Sequence, residues 1–253
     1  MSKVLHRRKN ISDLTSKNHQ EMFDLFEQYY NDVSFEMFLS DLLEKDHVFI
    51  LRNEAHELIG FSTIFRRRMG EKKKQYTALF SGDTVIRKDY WGNKALQKAF
   101  FFYILESKFL SGTRPLYWFL QSKGFKTYMM MRKNFRHSFP KAGREIPRPL
   151  QKALNEFYQK KYGENFKVDS GLIQFPTSKG AAKIEHCKPE DKHLSNEEIQ
   201  FFLKRNPGYF NGDELACIAE IRYRDFLFHI PKYFLKLPII SKLFKRKTKA
   251  ISY

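Results

Sequence analysis

Cysteine is nearly absent from this chain of 253 residues: Cys187 and Cys217 stand alone, with no CxxC and no histidine cluster at metal-ligand spacing. No disulfide framework or zinc site follows from them, and both are read as free, buried thiols in a reducing compartment. Long apolar runs are missing too. Nothing approaches the ~18 residues that a bilayer-spanning helix needs. The opening MSKVLHRRKN is charged and has no apolar core, so a secretory signal is not expected either. There is no internal repeat and no low-complexity tract. The cytoplasm is the expected compartment.

Acidic residues are the third shortage, 28 against 46 basic ones, which leaves a net charge of +18. Charge of that size speaks to partners and association rate, not to fold. Nucleic acid, an anionic membrane surface and an acidic protein or cofactor all fit it. Apolar material is plentiful, 42% of the chain with 26 Phe and 13 Tyr, which argues against disorder and for a large core or an apolar pocket.

Apolar residues at helical spacing mark 18–30, through Met22, Phe23, Phe26 and Tyr30, and 34–45, through Phe35, Phe38, Leu39 and Leu42. The period then changes to that of strands at 47–53, 58–69 and 76–86, the last interrupted at Gly82. Glycine inside a strand marks a bulge or a close backbone approach. Further on, a helix is expected over 92–110, a strand over 114–121, a helix or turn over 122–135 and a helix over 150–162. Strands over 166–175 and 213–223 enclose a helix at 195–205, opened by Ser195 with Glu198 three residues on as a capping box. Such an order indicates an α+β or mixed α/β sheet.

The densest signal is DTVIRKDYWGNKAL, 83–96, where a β-branched run ends in a charged turn and then becomes apolar helix. Strand-to-helix junctions of this kind hold anions, because the first helical N–H groups have no partner. Ile86, Asp89, Tyr90 and Gly92 resemble the loop of the Gcn5-related N-acetyltransferase superfamily, roughly V-x-P-E-Y-R-G-x-G-x-G. The resemblance covers about residues 15–135. It implies a central, mostly antiparallel sheet flanked by helices, with a C-terminal extension. It also implies a pyrophosphate cradle, placed here on Thr84, Val85, Ile86, Trp91, Gly92, Asn93, Lys94 and Ala95. The co-substrate would be acyl-coenzyme A or an acyl group on acyl carrier protein, with no metal. The loop departs from the family at Trp91, where Arg or Gln is usual, and at Lys94 and Leu96, where glycines are usual.

The resemblance further implies that an acyl thioester lies where two central strands splay, near a bulge expected between Gly82 and Val85. Asp83, the only carboxylate of its strand, is the candidate base, and Tyr128, on the following helix, the candidate acid. The plainer readings are a turn carboxylate paired with an arginine and a core tyrosine. His137, among basic neighbours and with no Asp beside it, is read as surface.

The runs RRRM (66–69) and EKKK (71–74) flank a hairpin-like turn, either a solvated face or a basic dock near the donor mouth. The chain divides into an elaborated domain over 1–225 and a tail over 226–253. In that tail apolar residues alternate with lysines up to KLFKRKTK, as in a segment lying on an anionic membrane, or one packed on its own domain or a second subunit. The leading expectation is an N-acyltransferase acting on a small amine. The alternative is a non-catalytic or tRNA-dependent nucleic-acid-binding protein on the same fold.

Overall fold

The computed structural model describes residues 4–72, 74–176, 180–183 and 188–226. Its elements follow the periodicity closely in the first half. Helices α1 (Ser16–Phe26) and α2 (Phe35–Leu43) are capped by the side chains of Thr15 and Ser34. Strands β3 (His47–Arg52), β4 (Leu58–Met69) and β5 (Tyr76–Ile86) come next, then α3 (Ala95–Ser111), β6 (Leu116–Ser122), α4 (Phe125–Asn134) and α5 (Arg148–Tyr162). A last helix, α6 (Glu197–Arg205), precedes β11 (Glu214–Ile221). Short strands fill the gaps: β1 (Leu5–Asn10), β2 (Tyr30–Asn31), β7 (Ser138–Phe139), β8 (Phe166–Lys167), β9 (Leu172–Ile173) and β10 (Ala181–Ala182).

Among the described residues the main sheet runs β1-β3-β4-β5-β6-β11-β9-β8, with β7 also on β11. Every pairing is antiparallel except β5 with β6. Parallel neighbours need a long crossover, and α3 supplies it. The mixed α+β class with a mostly antiparallel sheet is therefore as expected.

Two local expectations are corrected, and one strand, β1, was not expected. Strand β1 has no apolar alternation, because LHRRKN is an exposed edge whose charges protect it from further pairing. The stretch 166–175 is not one strand but the β8–β9 hairpin, turning at Gly171 with φ +69°. Helix α6 is capped by Asn196, whose side chain accepts from the amides of Glu198 and Ile199, and not by Ser195. Glu198 is thereby free to reach across to α4.

Strand alternation sends side chains to two faces. Leu79, Trp118 and Leu120 meet α3 and α4 on one face, while Phe80, Phe119 and Ala216 meet α5 on the other. Helices α1 and α2 cover the β3–β4 end. The phenylalanines concentrate under α5, where Phe157 stacks on Phe119 at 4.0 Å and lies 5.5 Å from Phe80. Phe157→Ala removes the centre of that cluster. The expected cost is about 3–5 kcal/mol, to be read as a lowered midpoint in urea denaturation with an unchanged slope.

Candidate functional site

The parallel ladder between β5 and β6 runs from Thr77 and Leu116 to Ser81 and Leu120, and there it stops. Beyond it β5 continues from Gly82 to Ile86 bonded to β4 alone, while β6 continues to Ser122 bonded to β11. The two strands part like a V. On β5 the register against β4 shifts between Ser62 and Ile64, so three steps of β5 oppose two of β4. That is a bulge at Gly82 and Asp83, inside the span the sequence indicated.

Gly82 has a packing reason to be glycine. A Cβ there would lie 2.7 Å from Lys45 Cε and 2.7 Å from Thr63 Oγ1. The Lys45 side chain passes fully buried beneath the bulge and donates to the Asp41 carboxylate at 2.6 Å and the Asp41 carbonyl at 2.6 Å.

The turn after β5 is closed by its own side chains. The Arg87 guanidinium donates twice to Asp89, at 2.9 and 2.8 Å, and the Trp91 indole donates to the Ile86 carbonyl at 2.7 Å. Gly92 has φ +86°, and a Cβ built there would meet nothing within 4 Å. It is open on the side a ligand would use. Asn93 Oδ1 accepts from the Ala95 amide. The amides of Gly92, Lys94, Leu96 and Gln97 make no hydrogen bond among the described residues. They form a donor group at the positive end of α3, a helix of 17 residues. Lys126 of α4 lies 4.5 Å over the Trp91 ring. Trp91 thus fills the gap between the two helix starts, where the family loop has a polar residue.

The parted strands and the turn share one cavity of about 460 Å³. Six of the eight residues expected to hold the co-substrate line it, Thr84, Val85, Ile86, Trp91, Gly92 and Asn93, whereas Lys94 and Ala95 do not. Asp83 lines it, and so do Gln121, Lys123 and Glu214, which the sequence did not single out. Glu214 escaped notice because it opens a strand with no motif around it. It is 2% exposed, one carboxylate oxygen lies 3.5 Å from Lys123 Nζ, and the other has no hydrogen-bond partner among the described residues. Burial raises its pKa, against the pull of Lys123.

Among the described residues Asp83 makes no ion pair with an arginine, so that plainer reading finds no support there. Burial and then the Asp41 charge push its carboxyl up to about 7, against the opposing pull of Lys123 and Lys45 and with a small further push from Glu214. Tyr128, in contrast, does not line the cavity. It is 1% exposed and its hydroxyl lies 2.5 Å from Glu198 Oε2 and 3.1 Å from the Pro140 carbonyl. Burial and Glu198 raise its pKa strongly. Glu198 also accepts from Arg132 at 2.8 Å, so this tyrosine ties α4 to α6 and does not face the place where a thiolate would leave.

The other sequence candidates fall elsewhere. His137 stands half-exposed outside the cavity, its Nε2 beside Arg222 and Arg224. The basic run 66–68 pairs with Thr77 to Leu79, the opposite end of β5 from the cavity. Arg67 there is paired with Asp46 and Arg66 reaches Ser107, so the run is a hairpin face and not a rim of the mouth. Cys217 is buried and free, its thiol pushed up to about 12 by burial, while Cys187 lies outside the described residues. The tail is outside them too, from residue 227 on. Among the described residues no acidic, histidine and cysteine cluster could hold a metal, and no helix is long and apolar enough to cross a membrane.

The raised Asp83 pKa has a consequence for stability. An unfolded Asp titrates near 3.9 and the folded one at about 7, so the native state holds the extra proton between those values. Stability therefore falls as pH rises through that window and levels off above it. Asp83→Asn cannot ionise. Its melting temperature should exceed that of the wild type at pH 8, and the difference should shrink towards pH 4, in parallel thermal melts.

No family model matches the chain, and no curated protein matches it. Solved structures do. A probable N-acyltransferase from Enterococcus faecalis is 15% identical over 54% of this chain, with a TM-score of 0.40, and the match spans only 33% of that protein. A GNAT family N-acetyltransferase from Escherichia coli in complex with coenzyme A is 13% identical over 53% of this chain and 69% of its own, with a TM-score of 0.37. Glucosamine-6-phosphate N-acetyltransferase from Arabidopsis thaliana is 12% identical over 58% of this chain and 97% of its own, with a TM-score of 0.39. Scores below 0.5 at such identities carry no weight for donor, acceptor or activity. The mostly antiparallel sheet, the parting strand pair and the turn before α3 are what the sequence resemblance to the Gcn5-related N-acetyltransferases implies.

Proposed function

We propose that the chain is an N-acyltransferase that moves an acyl group from an acyl-coenzyme A thioester to an amine. The observation that carries this reading is the joining, in one cavity, of an open strand edge at Gly82–Ile86 with Gly92, Leu96 and Gln97 at the start of α3, whose amides make no hydrogen bond among the described residues. An open strand edge inside a cavity suits an extended ligand that itself carries amides, by strand addition. Free helix N-terminal amides suit a pyrophosphate. Coenzyme A bears both groups, in that order along its length. When bound it supplies the thioester; the protein supplies the alignment and the proton handling.

Aminolysis needs the amine to lose a proton and the thiolate to gain one. Asp83, with a pKa of about 7, suits both tasks. Ionised, it takes the proton of the attacking amine as the C–N bond forms. Protonated, it is more acidic than an ordinary thiol near 8.5, so it can return that proton to the sulfur as the C–S bond breaks. This places on one carboxyl the acid role that the sequence suggested for Tyr128. Gln121, Lys123 and Glu214 surround the acceptor side.

Two measurements test the reading. In a thermal-shift titration, coenzyme A at a hundred times its dissociation constant should stabilise the fold by about 2.7 kcal/mol. Gly92→Glu, which sets a negative charge among the free amides, should abolish that shift; a wild type that never shifts would exclude coenzyme A. In a thiol-release assay with an amine panel, the rate should rise with pH through about 7, the Asp83 value. Asp83→Asn should remove that limb and lower the rate by about 10²–10⁴-fold.

A further inference from the structure

The lining of the cavity divides into two sides of opposite chemistry, here called arms, and the reading above uses only one. From the parting point at Ser81 and Leu120, one arm meets Asp83, Gln121, Lys123 and Glu214. The other follows α3. Leu96, Phe100 and Ile104, one turn apart, all line the cavity, and so does Phe101 beside them. Eight residues of helix carry this arm about 12 Å along the axis, at 1.5 Å per residue. Trp118 of β6 and Phe135, the residue after α4, complete this lining, their rings 5.3 Å apart. Phe226, packed on Phe101 at 5.7 Å, stands at the far end. Asp225 beside it has its carboxylate engaged by the Arg222 amide at 2.8 Å.

These side chains are core residues by exposure, Phe101 6%, Ile104 3%, Trp118 2% and Phe226 6%, yet they border open space. Protein interiors are close-packed, and a large apolar void forfeits contact energy along its whole lining. Water gains little there, because it needs two to four polar partners. Trp118 could offer its indole N–H, but that group already donates to Ser81 Oγ at 3.0 Å. This side of the lining thus suits an apolar occupant.

We propose that the α3 arm holds the hydrocarbon of the donor, so that the group transferred is an acyl chain of octanoyl length or longer and not acetyl. This rests on the acyltransferase reading. The reaction balances as before: the thioester C–S bond breaks, an amide C–N bond forms, one amine proton passes to the thiol, and the chain is carried unchanged. Polar and apolar arms then sort the two substrates by chemistry, the amine towards Asp83 and Glu214, the chain under α3.

Binding of coenzyme A, acetyl-, octanoyl- and dodecanoyl-coenzyme A to the full chain, by isothermal titration, decides the matter. Burial of each methylene should lower the dissociation constant about fourfold, so octanoyl should bind at least tenfold tighter than acetyl. Ile104→Trp, which plugs the arm, should collapse the octanoyl-to-acetyl ratio towards one. Ile104→Ala, which deepens it, should move the preference towards dodecanoyl and guards against a misfolded Trp variant. Equal affinity for acetyl and octanoyl, or a ratio that Ile104→Trp leaves intact, would overturn the chain-length proposal while the acyltransferase reading stands. No binding of any thioester would sink both.

Discussion

Backbone amides that leave a ladder need other partners, and the site of this protein is organised by one such departure. β5 and β6 pair in parallel only as far as Ser81 and Leu120. Had they stayed together, the sheet would close over the space now lined by Asp83 and Gln121. The antiparallel partners on either side, β4 and β11, hold the two diverging ends apart. The V is therefore a product of the sheet around it and not of a flexible loop. The bulge at Gly82 turns Asp83 into the gap, and the buried Lys45 below the bulge is accommodated because Gly82 has no side chain.

Charge at the site is arranged by burial more than by pairing. Asp83 and Glu214 both lie against the cavity, and burial raises both carboxyls. Lys45 and Lys123 keep the region from becoming a bare acidic pocket, since one is bonded to Asp41 and the other lies near Glu214. A carboxyl poised near neutrality by desolvation is what proton transfer at neutral pH requires. The most conspicuous basic run, 66–68, is at the far end of β5, and its Arg67 is paired with Asp46.

The aromatic wealth of the chain divides between two uses. Under α5 the rings pack on one another, with Phe119 and Phe157 stacked at 4.0 Å. Under α3 the rings of Phe100, Phe101, Phe135 and Trp118 stand around a cavity instead. Composition cannot tell these uses apart, because both bury the same residues.

Periodicity by itself determined β4 and β5 to the residue and placed α1 through α5 within a few positions, since alternation and helical spacing report which face a residue turns to the core. Gly82 and Gly92 also announced themselves, one as a break in a strand and one as the pivot of a charged turn. The exposed edge β1 was illegible, having no apolar stripe to read, and in 166–175 the strand signal was read but its turn at Gly171 was not. Tertiary structure alone decided which polar residues meet. Glu214 lies 131 positions after Asp83 in the chain, and only the joining of β11 to β6 brings it to the same cavity. Tyr128 was placed on the right helix but turns to Glu198, because α6 packs there and offers a half-buried carboxylate that the linear sequence does not place beside it.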